Sequence, residues 1–279
     1  QTGQAAGDLG RMAALAAGYD VRSSGMTLDR FCGSGITVVN LAAALIISGQ
    51  EDVVVAGGTE KMSDYQLFPS DAPRTMDRAN PQLAALHPQP HQGVCADAIA
   101  TIEGIDRAAL DALALTSQEN AARAIAEGRF DRSLVPVHFE DGRLALEREE
   151  FPRPETSAEQ LANLKPSFEA LADYAIDEAG MTFRRQIEAR YPDVVIKAVH
   201  HAGNSSGVVD GAAAMLVASK EYAQARGLKR RARIVATANM GDCPTLMLNA
   251  PVPAARKVLA KAGLTVNEID LWEINEAFA

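Results

Sequence analysis

No apolar run in the 279-residue sequence approaches the roughly 20 residues needed to span a bilayer, and Asn40 interrupts the longest candidate. A membrane span is therefore not expected. Cysteine is scarce. Cys32, Cys95 and Cys243 are odd in number and show no C-x-x-C spacing, which argues against a disulfide framework or a zinc site and fits a reducing, cytoplasmic compartment. The five histidines, His87, His91, His138, His200 and His201, lack the H-E-x-x-H pattern of a helical metal site, so no metal is expected. Positive charge is also in deficit. The formal net charge is −9, and the one compact basic cluster, Lys229-Arg230-Arg231-Ala232-Arg233, reads as a solvated connection, so no nucleic-acid partner is expected. The first residues, from Gln1, are polar and glycine-rich, which excludes a signal peptide in this stretch.

What is present is enough apolar material, 47% of the residues, to bury a sizeable core in one large or two ordinary domains. Residues 8–18 read as an alanine-rich helix and residues 26–31 as a strand delivering Cys32 to a sharp turn. A buried helix follows and ends at Ser48-Gly49, and residues 52–56 form the next strand. Prolines 69, 73, 81, 88 and 90 break every regular pattern from about Lys61 to His91. Asp106 caps a helix running to about Glu127, with Gly128 as its stop, and Glu140-Asp141-Gly142 turns a hairpin between residues 134–139 and 143–147. A short helix lies between Pro154 and Pro166. Residues 169–199 carry a helical pattern and then a strand-like 194–196. Residues 212–218, 233–238 and 269–274 read as strands, and 251–262 as a helix stopped by Gly263. Such alternation predicts a layered α/β core with a buried, partly parallel sheet.

Asp29-Arg30-Phe31-Cys32-Gly33-Ser34-Gly35 is the centre of the functional reading. A cysteine at a helix N-terminus sits among unpaired N–H groups that stabilise a thiolate and can hold an acyl oxygen, and Gly33 and Gly35 leave room for a substrate carbonyl. A small buried hydrophobe is the alternative reading of the same cysteine.

Asp29 to Gly35, together with Val53-Val54-Val55-Ala56-Gly57-Gly58-Thr59-Glu60-Lys61-Met62-Ser63, resembles the nucleophile region of the thiolases. Residues 161–168, Ala202-Gly203-Asn204-Ser205-Ser206-Gly207 with Asp210-Gly211-Ala212-Ala213, and Asn275-Glu276-Ala277-Phe278 extend the resemblance in the family's order. The fold it implies is α/β: two similar β-α-β-α-β halves, the second incomplete in this sequence, with an inserted loop domain. Residues 1–61 and 207–228 would form the N-terminal half, 62–206 the loop domain, and 229–279 the start of the C-terminal half. The reaction implied is thiolysis of a 3-oxoacyl-CoA to acetyl-CoA and a shortened acyl-CoA, or the reverse Claisen condensation, within fatty-acid and lipid metabolism. Coenzyme A and acyl-CoA enter as substrates, and no cofactor is held permanently.

The resemblance also implies roles for individual residues. Cys32 carries the acyl group, Asn275 helps build a second oxyanion site through a bound water, and Phe278 supports its shape. Ser206 meets the pantetheine arm, with the Ala202 and Gly203 backbone beside it. Arg153 matches an arginine at the adenine end and equally suits an exposed loop; His91 matches a pocket histidine or a solvated one; Met247 matches an acyl-pocket methionine or an ordinary core one. The family's members are dimers or tetramers, so a homodimer or homotetramer is expected, with the strand at Val53 and the Cys32 region near the interface.

Four departures from the pattern stand out. Asp29 replaces a common asparagine, and His200-His201 replaces small or β-branched residues, with satisfied structural histidines the first expectation. Residues 169–199 form a longer link than usual, either reshaping the acyl end of the site or decorating the surface. The family's Gly-His-Pro motif, whose histidine activates the nucleophile, and its Cys-x-Gly motif, whose cysteine moves the substrate proton, do not occur in these residues. Since such groups act as a unit, the sequence taken literally implies a poor thiolase, and a catalytically silent acyl-CoA-binding or partner-binding protein is the rival reading.

Overall fold

The computed structural model describes residues 7–63, 76 and 80–279. The chain divides into two compact units: Gln1–Lys61, Asp210–Asn239 and Val258–Gly263 form the first, and Met62–Val209, Met240–Lys257 and Leu264–Ala279 the second.

The first unit opens with α1 (Leu9–Ala16), where the Asp8 side chain accepts from the Arg11 amide as N-cap and Gly18, at φ +76°, follows the last turn. The strand expected at 26–31 does not form. Side chains anchor this stretch to α1 instead: Thr27 Oγ1 accepts from the Gly10 amide at 2.9 Å and donates to Asp8 Oδ1 at 3.0 Å, and no strand lies alongside among the described residues. A single 3₁₀ turn, Phe31–Gly33, leads into α2 (Ser34–Ile47), which Ser48 and Gly49 close as expected, the latter at φ +76°. Only part of α2 is buried. Ala42 and Ala43 are covered, whereas Ile36 is 68% exposed and Ile47 84%. The helix is apolar on every face, but within this unit it packs on the sheet along one side. That sheet begins with β1 (Val53–Lys61).

The second unit follows. Much of its proline-rich entry, residues 64–75 and 77–79, lies outside the described residues. The remainder is not wholly irregular: α3 (Pro81–Leu86) starts with proline at N1 after the Asn80 cap, the one helical position where proline loses no hydrogen bond. In α4 (Gln92–Glu103) His91 is the N-cap and Gly104, at φ +69°, the stop, and α5 (Arg107–Ala126) has the expected Asp106 cap. The hairpin forms with short arms, β2 (Val137–His138) and β3 (Leu144–Leu146). Next come α6 (Ala158–Ala162), opened by a Ser157/Gln160 capping box, then α7 (Glu169–Ala172) and α8 (Phe183–Glu188).

Of the two readings of residues 169–199, surface decoration does not match the structure. Ala172, Phe183, Ile187 and Ile196 join Val94, Ala98 and Leu246 as the buried core of this unit. Phe183 and Ile187 lie one turn apart on the inward face of α8, so the segment supplies core side chains and is no surface decoration. The stretch 194–196 is not a strand: Ile196 is buried and Val195 is 78% exposed, with no ladder partner beside them among the described residues.

The chain returns to the first unit as β4 (Asp210–Ala218), paired antiparallel with β1 from Val53↔Ala218 to Lys61↔Asp210. The expected parallel pairing is absent among the described residues, where both sheets are two-stranded and antiparallel. Gly57 faces Ala214 across the ladder, and a Cβ there would meet the Ala213 carbonyl oxygen at 2.8 Å, so only glycine admits this spacing. Beyond it come α9 (Lys220–Ala225), capped by Ser219, and α10 (Pro251–Ala262), ended by Gly263 at φ +67°. Residues 233–238 and 269–274, expected as strands, have no ladder partner among the described residues, and Leu271 is 90% exposed. An apolar run becomes a strand only where a neighbour completes its hydrogen bonds, and no described residue does so here.

The core placement of α8 is testable by substitution. Phe183→Ala is expected to lower unfolding stability by about 3–5 kcal/mol, and Val195→Ala to change it by less than about 0.5 kcal/mol, measured by denaturant titration. Equal, small effects would contradict the packing described.

Candidate functional site

Cys32 lies on the first unit, exposed, in the turn that feeds α2. Phe31 adopts φ +51°, a strained value for a side chain of that size, and local polar groups hold it there. The Asp29 carboxylate accepts from the Phe31 amide at 2.9 Å. Ser34 Oγ accepts from the Arg30 amide at 2.8 Å and donates to the Phe31 carbonyl at 2.7 Å. Arg30 reaches Thr37 Oγ1 at 3.1 Å and Asn239 Oδ1 at 2.6 Å. Aspartate in place of asparagine thus performs a turn-capping task that either residue's Oδ1 can perform. The result is an exposed cysteine held in the turn that immediately precedes α2.

The second unit brings several of the other expected residues together. The chain end runs alongside the Ala202–Ser206 turn: Ser205 and Phe278 form an antiparallel bridge, the Ser206 amide donates to the Ala277 carbonyl at 2.9 Å, and the Ala279 amide to that of Asn204 at 3.0 Å. Ser206 and Ala202 are exposed, and Ser206 has its amide engaged and its hydroxyl at the surface. The Phe278 ring meets His200 edge-on at 5.3 Å and Phe168 at 5.8 Å, and Phe168 in turn lies 5.7 Å from His91. Phe151 packs where a Cβ on Gly207 would stand, which brings the Phe151-Pro152-Arg153 loop beside the same turn. Arg153 is exposed, its amide donating to Gln118 Oε1 at 2.8 Å. Asn275 is exposed, while its neighbour Glu276 accepts from Ser117 Oγ at 2.6 Å. Met247 occupies a turn at φ +61° next to the core residue Leu246.

Both members of the His200-His201 pair are buried and satisfied, as first expected. His200 Nδ1 lies 2.8 Å from Asp97 Oδ1, which also accepts from the Val199 and His200 amides at 3.0 and 2.9 Å. His201 Nε2 lies 2.7 Å from Asp111 Oδ1. Burial pushes the His201 ring below the usual histidine value, against the pull of Asp111. His91 is shifted the same way by burial, and its Nδ1 accepts from the Gly93 amide at 3.1 Å as cap of α4, so its neutral form is the structural one.

Sequence reasoning missed Asp97, Asp111 and Asn204, which hold this turn from within. A lone aspartate inside the apolar run Val94-Cys95-Ala96-Asp97-Ala98-Ile99 was the available signal, since a buried carboxylate demands donors. It also missed Tyr191, whose hydroxyl lies 3.3 Å from Cys243 Sγ. Burial works to raise the Cys243 thiol, yet the Tyr191 hydroxyl and the Leu246 and Thr245 backbone, with Arg190 nearby, outweigh it and hold the thiol below its usual value. Burial pushes the Cys95 thiol up to about 12. No helix among the described residues is long and apolar enough to cross a membrane, and among them no group of three or more His, Cys, Asp or Glu is arranged to hold a metal ion.

Comparison with known proteins extends over the whole chain. The family model for the thiolase N-terminal domain matches residues 1–172, and that for the thiolase C-terminal domain matches residues 228–279. The chain is 36% identical to the 3-oxoadipyl-CoA/3-oxo-5,6-dehydrosuberyl-CoA thiolase of Escherichia coli (strain K12), over 100% of this chain and 67% of that protein. It is 35% identical to the beta-ketoadipyl-CoA thiolase of Pseudomonas putida, with the same coverage. It is 37% identical to the acetyl-CoA acetyltransferase of Chromobacterium violaceum, over 96% of this chain and 65% of that protein. The chain thus spans about two thirds of the length of these relatives.

The neutral His91 cap predicts a pH dependence. With a folded value below the ordinary 6.5, the unfolded chain takes up the proton first, so this contribution to stability is complete above pH 6.5 and is lost as pH falls through the folded value. His91→Asn, which keeps a capping oxygen without a titrating ring, is expected to show a shallower fall of the unfolding midpoint with acidification. Identical slopes for both proteins would contradict this.

Proposed function

The chain belongs to the thiolase family, and from that membership we propose that it is an acyltransferase working through an acyl-Cys32 intermediate. The observation that carries this reading is Cys32 itself, exposed beside a positive-φ turn at the start of the 14-residue helix α2. In thiolysis the Cys32 thiolate attacks the 3-keto carbon of a 3-oxoacyl-CoA. The bond between carbons 2 and 3 breaks, the acetyl-CoA enolate leaves and is protonated, and a second coenzyme A thiol takes the acyl group from sulfur. Condensation is the reverse. Each step develops charge on a carbonyl oxygen, which donors such as the α2 N–H groups stabilise, and Asn275 is the proposed contributor to the second oxyanion site.

Coenzyme A is proposed to bind along the Ala202–Ser206 turn. Ala202 and Ser206 are exposed and Gly203 is half-buried, Phe278 and His91 belong to the ring cluster beside the turn, Met247 is proposed for the acyl pocket, and Arg153 is proposed toward the adenine. The relatives named for 3-oxoadipyl-CoA and acetyl-CoA share a 3-oxoacyl or acyl thioester, and that substrate class is the one proposed for this chain, in a reducing, cytoplasmic setting. The proposed assembly is a homodimer or homotetramer. The partly uncovered Val55, Met215 and Leu216 on β1 and β4 are the apolar surface that supports it.

A second reading, an acyl-CoA-binding protein without turnover, shares the proposed coenzyme A turn but needs no reactive Cys32. One experiment separates the two. Brief exposure to acetyl-CoA followed by intact mass measurement is expected to show an acetyl adduct on the wild-type protein that is missing from Cys32→Ala. Coenzyme A binding with no adduct on either protein would favour the silent binder. Sedimentation at micromolar concentration is expected to give a dimer or tetramer, and a stable monomer would end the proposal of a subunit interface.

A further inference from the structure

We infer that His201, locked by Asp111, is a positioning residue for the turn proposed to bind coenzyme A; this inference rests on that reading of the turn. The Gly203 amide donates to His201 Nδ1 at 3.0 Å, so Nδ1 carries no proton and the neutral ring holds its hydrogen on Nε2. Asp111 Oδ1 accepts that hydrogen at 2.7 Å and also accepts from Asn204 Nδ2 at 2.9 Å. Asn204 Oδ1 accepts from the His201 amide at 2.8 Å, which closes a ring of bonds through residues 201, 203, 204 and 111. Asp111 is itself held by Arg107 Nε at 3.2 Å, and the same guanidinium donates to the carbonyls of Leu161 and Leu164, both at 2.7 Å.

The geometry at Gly203 makes the arrangement exacting. A Cβ there would stand 2.5 Å from Leu161 Cδ2, 2.8 Å from Leu164 Cδ1 and 3.2 Å from His201 Cε1, so two leucine side chains and the imidazole together close the space against which the turn is folded. A small or β-branched apolar side chain at position 201 can neither accept from the Gly203 amide nor donate to Asp111. The ring bonds the backbone at Gly203, three residues before the exposed Ser206 hydroxyl, and it acts on a ligand only through that backbone. The pair is also buried: His201 is fully covered, and Asp111 is 8% exposed. An unfilled acceptor there would be costly, which makes the turn's shape sensitive to this one side chain.

Calorimetric titration of the full protein with coenzyme A tests this. His201→Leu is expected to weaken binding about tenfold, corresponding to the loss of the hydrogen bonds that shape the turn. His201→Gln, which retains a donor toward Asp111 and an acceptor toward Gly203, is expected to stay within about threefold of wild type. In thiolysis the KM for coenzyme A should rise with the weakened binding while kcat at saturating coenzyme A holds. Ile187→Ala, a core truncation away from the turn, serves as the stability control, and its coenzyme A affinity should be unchanged. His201→Leu binding as well as wild type, or Ile187→Ala losing as much affinity as His201→Leu, overturns the inference. Failure of the wild-type protein itself to bind coenzyme A overturns the reading of the turn and this inference together.

Discussion

A carboxylate removed from water must be surrounded by donors, and the second unit is organised around two that are. Asp97 on α4 gathers two backbone amides and the His200 ring on a single oxygen, and Asp111 on α5 gathers His201, Asn204 and Arg107. Each reaches about 90 to 100 residues along the chain for its histidine, so the two helices and the turn at 199–206 are held in one arrangement. Burying a charge this way costs free energy unless donors meet it, and removal of one partner leaves a costly remainder. The helices therefore matter to the site through their two polar residues as much as through their apolar faces.

The aromatic groups repeat this theme. Phe278 sits between His200 and Phe168, and Phe168 adjoins His91, so the last residues of the chain are seated by rings whose own orientation the carboxylates or helix caps determine. His91 is both the cap of α4 and a neighbour of Phe183 at 6.1 Å, which joins the α8 core to the same cluster. Core packing and helix capping thus meet at His91 and Phe168.

The first unit solves a different problem. Its nucleophile candidate must be exposed and yet fixed, and Asp29, Arg30 and Ser34 accomplish this with short-range hydrogen bonds around a strained Phe31 rather than with burial. The alanine-rich β4 against Gly57 of β1 supplies the rigid support, since strands this close admit little adjustment.

Local chemistry was legible in the sequence wherever a few adjacent residues decide it. The cap at Asp106, the stops at Gly49, Gly128 and Gly263, the hairpin at Gly142 and the turn before α2 all depend on neighbours within about one helical turn. The thiolase motifs were legible for the same reason, being short stretches whose side chains must occur in a set order. Strands were less so. Residues 26–31, 194–196, 233–238 and 269–274 have apolar or β-branched composition, but a strand exists only through a partner that lies elsewhere in the chain. Tertiary structure alone decided that residues 169–199 form core and that β1 and β4 run antiparallel. It alone also matched His200 with Asp97 and His201 with Asp111, because a hydrogen bond between residues some 90 or more positions apart leaves no periodicity to read.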